Sequence, residues 1–149
     1  MKNELEGLNN ELNKKLKVYL KEGAENVDKL REYSRIKGIK VPEDYLQIVS
    51  QNSKIYINVD DELYLSVWGA EECVEMNEAF NIQEYVTNGI AVADNGGGGC
   101  LIYMEGNKGY GVYQLGFGNL FPEEGVYIAH SLRDILVKGL GVHTLKENY

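Results

Sequence analysis

The chain has 149 residues, with 15 Lys+Arg against 23 Asp+Glu and a formal net charge of −8. Its 44% hydrophobic and 26% charged residues mark a folded chain rather than a disordered one, and the length suits one domain whose core needs no disulfide or metal. A pI near 4.8 argues against nucleic acid or anionic lipid as the main partner, because phosphate binding needs clustered Lys and Arg.

In chain order, Leu5, Leu8, Leu12, Leu16 and Tyr19 recur at helical spacing and predict an amphipathic helix ending at Gly23. A second helix carries Val27, Leu30 and Tyr33 or Ser34 on successive turns and stops at Gly38. Val41-Pro42-Glu43-Asp44-Tyr45 opens a third, since Pro in a first turn loses no helix hydrogen bond and acids favour the positive end. From Ile55 the period changes to two. Ile55, Ile57 and Val59 form one strand and Leu63, Leu65 and Val67 another, joined through Asp60-Asp61-Glu62. Gly69 to about Phe80 returns to helical spacing, with Cys73, Met76 and Phe80 on one side. Three more strands are expected at Gly89–Ala93, Cys100–Met104 and Gly111–Leu115, and Ser131 with Asp134 reads as the capping box of a last helix. The pattern is one α+β domain: a mostly antiparallel sheet of about five strands flanked by about four to five helices.

Few features carry chemistry. Asp94-Asn95-Gly96-Gly97-Gly98-Gly99-Cys100 lacks the Gly-Lys-Ser/Thr and the following helix of a phosphate loop, so it reads as a connection between strands. Cys73, Cys100, His130 and His143 are scattered without the short paired spacings of zinc sites, and no metal or cofactor is expected. Nothing marks a Cys–His pair as reactive, and carboxylates are too common for a catalytic pair to be singled out; no enzyme activity is expected. Two Cys without a CxxC, an N-terminus reading Met-Lys-Asn-Glu-Leu-Glu and no run of roughly 20 apolar residues point to a cytoplasmic protein without a membrane span.

Charge is more informative. Residues 1–44 hold 10 Lys+Arg and 9 Asp+Glu, whereas residues 45–149 hold 5 and 14, so +1 and −9 make up the total. No Lys or Arg occurs between Lys54 and Lys108, where ten acids fall. Glu71, Glu75 and Glu78 follow i, i+4, i+7 on one helix face with Glu72 at its edge. Two readings stand: a solvated face, or an electrostatic landing site for a cationic protein. The eleven Tyr, seven of them in the strand-rich part, suit half-buried sheet positions and interfaces alike, and Trp68 reads as a core anchor.

Four segments in order resemble the SUKH superfamily. They are Val27-Asp28-Lys29-Leu30 through Val41-Pro42-Glu43-Asp44-Tyr45, Gly69-Ala70-Glu71-Glu72 to Asn77-Glu78-Ala79-Phe80, Gly89-Ile90-Ala91-Val92-Ala93-Asp94 with its glycines, and Ser131-Leu132-Arg133-Asp134-Ile135-Leu136. The resemblance spans residues 26–141, with 1–25 as a variable N-terminal helix and 142–149 as a tail. The chain departs from the family's pattern in reading Gln51-Asn52-Ser53 where Asn-Gly-Gly is common, and Val-Pro for Leu-Pro. The resemblance implies a binding module: bacterial members are immunity proteins that neutralise a cognate toxin, often a nuclease, while eukaryotic ones are regulators and scaffolds. The expected partner is therefore a basic toxin domain, with Asp60, Asp61, Glu62, Glu71, Glu72, Glu75 and Glu78 as contact candidates. A regulatory adaptor is the alternative, and an enzyme with an unrecognised carboxylate site a more distant one.

Overall fold

A computed structural model describes residues 16–22, 26–59 and 61–147. Seven strands form one antiparallel sheet in which each strand pairs with its neighbours in sequence: β1 (Leu16–Glu22), β2 (Asn52–Val59), β3 (Leu63–Trp68), β4 (Ile90–Asp94), β5 (Gly99–Gly106), β6 (Gly109–Gly116) and β7 (Val126–Ala129). Six α-helices are described: α1 (Asp28–Lys37), α2 (Glu43–Val49), α3 (Ala70–Ala79), α4 (Ile82–Tyr85), α5 (Leu132–Lys138) and α6 (Val142–Glu147). The α+β class with an antiparallel sheet is as expected. The counts differ: among the described residues seven strands replace about five, and six α-helices replace about four to five.

The largest correction lies at β1. Leu16 and Tyr19 belong to a strand, not to the end of an amphipathic helix; Leu5, Leu8 and Leu12 lie outside the described residues. Leu16 is buried while Lys17 and Tyr19 are exposed, an alternation of period two, and the backbone pairs Leu16 with Val59 and Leu20 with Ile55. Residues 142–147, read as tail, form α6, which buries Val142 and Leu145.

Strand burial divides the sheet. β2 and β3 alternate, so Tyr56 and Tyr64 face solvent with Tyr19 of β1 directly opposite Tyr56. β4 to β6 are buried on both faces, as the continuous apolar runs Ile90–Ala93 and Cys100–Met104 require. Trp68 is fully buried, as expected of a core anchor.

The Asp44-Tyr45 pair ties three layers together. The fully buried Tyr45 donates its hydroxyl hydrogen to the Trp68 carbonyl. Asp44 Oδ2 accepts from the Tyr103 hydroxyl at 2.7 Å and from Arg133 N at 3.3 Å, while the Tyr103 oxygen accepts from Leu132 N at 2.7 Å. One carboxylate and one phenol thus occupy the first turn of α5 and bind it to α2 and β5. Ser131 Oγ accepts from Asp134 N at 3.1 Å, which supplies the expected cap. Gly38 ends α1 in the left-handed region at φ 66°, as its position predicts.

Candidate functional site

The acidic helix α3 starts where β3 ends, and a gap in the sheet explains how it is held. β3 and β4 pair only at Ser66–Asp94 and Val67–Ala93, after which the chain leaves the sheet at Gly69. The side chain of Asn77 fills the vacated position. Its Nδ2 donates to the Ala91 carbonyl at 2.8 Å, and its Oδ1 accepts from Ala91 N at 3.0 Å, the pair of bonds that another strand would make. Nδ2 also donates to the Cys73 carbonyl at 2.7 Å. Gln83 Nε2 extends the network, donating to Asn77 Oδ1 at 3.0 Å and to the Gly89 carbonyl at 2.8 Å, and Gln83 Oε1 accepts from the Tyr33 hydroxyl. α3 is therefore fixed through Ala70, Cys73 and Asn77, all fully buried.

Fixing that side turns Glu71, Glu75 and Glu78 outward, and all three are exposed. None of them forms an ion pair among the described residues. Glu72 differs: it is half-buried and ion-paired with Lys54, which the strand register places opposite Trp68 at the foot of α3. Chain order had left these acids without a nearby cation, and pairing of β2 with β3 supplies one. Asp61 and Glu62 stand at the other end of the β2–β3 hairpin, about 17 Å of strand away. Asp61 is exposed at φ 56° and shares two hydrogen bonds with Asn58, and Glu62 meets Lys146 of α6 at 2.8 Å. Asp60 lies outside the described residues. The acidic candidates thus fall into an unneutralised helix face and a separate turn.

The glycine run connects β4 to β5, and its amides are already engaged. Asn95 Oδ1 accepts from Gly97 N at 2.8 Å and Gly99 N at 2.9 Å, and Asp94 Oδ1 accepts from Gly96 N at 2.9 Å. These are the groups a phosphate would need. Burial pushes both the Cys73 and the Cys100 thiol up to about 12, which keeps them protonated and weak as nucleophiles or ligands near neutral pH. Among the described residues no group of three or more His, Cys, Asp and Glu side chains is arranged to hold a metal ion, and no helix is long and apolar enough to cross a membrane.

Sequence reasoning missed an aromatic cleft of about 310 Å³ between the end of α3, α4 and the connection after β6, lined by Phe80, Tyr85, Phe117, Leu120 and Phe121. Its residues are 41 positions apart at the extremes, so only the fold reveals it. The chain matches no family model and no curated protein.

Proposed function

We propose that this chain is a protein-binding module of the immunity type, which neutralises a cognate toxin domain by covering a basic surface. The observation that carries the reading is the rigidly mounted face of Glu71, Glu75 and Glu78, exposed and without counter-ions among the described residues. Like charges at this spacing cost a helix a few tenths of a kcal/mol per pair, and a cationic partner offsets that cost. A nuclease presents such a surface to its substrate's phosphates. The resemblance of residues 26–141 to the SUKH superfamily supports the same reading, with Asp61 and Glu62 at the rim or on a second contact.

Co-expression with candidate basic toxin domains, taken first from genes adjoining its own, tests it. Restored growth together with a co-purifying complex is the expected result. The absence of both restored growth and a complex would contradict the immunity reading, and a stable complex with a cellular protein alone favours a regulatory adaptor instead.

A further inference from the structure

The geometry points to the aromatic cleft beside α3 as a docking site for an arginine side chain on a basic protein partner. The inference rests on reading the chain as a protein-binding module, and its cleft adjoins the Glu71, Glu75 and Glu78 face at Glu78. Phe80 and Phe117 stack with ring centroids 4.0 Å apart at 22°, and Phe117 lies over the buried Trp68 at 6.4 Å and 16°. Three near-parallel rings therefore run from the core to the surface, so the cleft floor is anchored. Its mouth is formed by Tyr85 and Phe121, 53% and 52% exposed, while the other exposed aromatic rings among the described residues, Tyr19, Tyr56 and Tyr64, belong to β1 to β3. At about 310 Å³ the cleft is at the small end of ligand pockets, room for one long side chain.

Charge selects the occupant. At Asn81 the cleft adjoins a second cavity of about 330 Å³ that Glu78 and Glu84 line, with Lys37 across from them. The exposed Glu123 follows Phe121-Pro122 directly, and Lys108 is the single Lys or Arg in the sequence between Lys54 and Arg133. An apolar cleft with this surround repels an anionic group. A planar guanidinium gains twice, from the ring faces by cation–π stacking and from the carboxylates by charge. Arginine is also among the residues that most often anchor protein interfaces.

The test titrates isotopically labelled full-length protein with hexa-arginine, hexalysine and hexacitrulline peptides, following backbone amides by NMR. Hexa-arginine is expected to shift amides of residues 80–85 and 117–121, to bind more tightly than hexalysine, and to bind about tenfold more weakly to the Tyr85→Ala/Phe121→Ala variant. Tyr85→Leu/Phe121→Leu keeps the apolar area and removes the ring faces, and should weaken binding similarly if the alanine variant does not fold. No shift in the cleft, or citrulline or lysine peptides binding as tightly as arginine, overturns the proposal. Binding that maps to Glu71 and Glu75 and ignores both variants overturns the cleft while leaving the acidic-face reading intact.

Discussion

Asn77 does in one side chain what a strand does with its backbone, satisfying both polar groups of Ala91 where β3 has left the sheet. Removing it strands the Ala91 N–H, leaves the Ala91 C=O only the long Cys73 thiol contact at 3.4 Å and loosens Gln83, all in a buried setting. Asn77→Ala should therefore destabilise the fold by about 2–4 kcal/mol in urea unfolding, and Asn77→Asp should do no better because a carboxylate cannot donate to the Ala91 and Cys73 carbonyls. A loss below about 1 kcal/mol would contradict this role. The buried thiols give a pH dependence of definite sign. Cys73 and Cys100 hold their protons more tightly folded, at about 12, than at the ordinary 9.0. The resulting stability is fully present below pH 9 and declines as pH rises toward 12, by up to about 1.4 kcal/mol per pH unit for each thiol. Unfolding midpoints compared at about pH 8 and about pH 10.5 should fall, and the fall should be smaller in Cys73→Ala relative to its own midpoint at the lower pH.

Elements with a clear period were legible and those without one were not. β2, β3, α1, α2 and α3 stand close to where alternation, Pro42 and Gly38 put them. Leu16 and Tyr19 fit a helical repeat and a strand equally well, and pairing with β2, a contact across more than 30 residues, decides between them. β7 and α4 have four residues each, too few to display a period. At the α5–α6 junction Gly139 caps α5 in the left-handed region at φ 69°, and Gly141 is held more tightly still. It sits at φ +77°, and a Cβ there would come within 2.2 Å of the Ile128 carbonyl oxygen, so α6 packs on β7 only because no side chain intervenes. Gly141→Ala should cost about 2–4 kcal/mol in thermal or urea unfolding. An unchanged midpoint would show that α6 is not held against β7 in this way.

For the whole molecule, the charge asymmetry was legible because it is a property of the chain, whereas its neutralisation was not. Lys54 and Lys146 reach Glu72 and Glu62 through sheet pairing and helix packing, and what remains exposed on α3 is narrower than the sequence suggested. The aromatic cleft was illegible for the same reason, since its walls come from α3, α4 and the connection after β6. As proposed, the Glu71, Glu75 and Glu78 face steers a cationic protein partner. The most direct test of this steering is the salt dependence of association with a toxin domain that co-purifies with the chain, compared between the wild type and the E71K/E75K/E78K variant, whose formal charge is −2 rather than −8. The wild-type association rate should fall steeply with added salt, and the variant should associate at least about tenfold more slowly with a flat salt profile. An unchanged rate and an unchanged salt slope would contradict it.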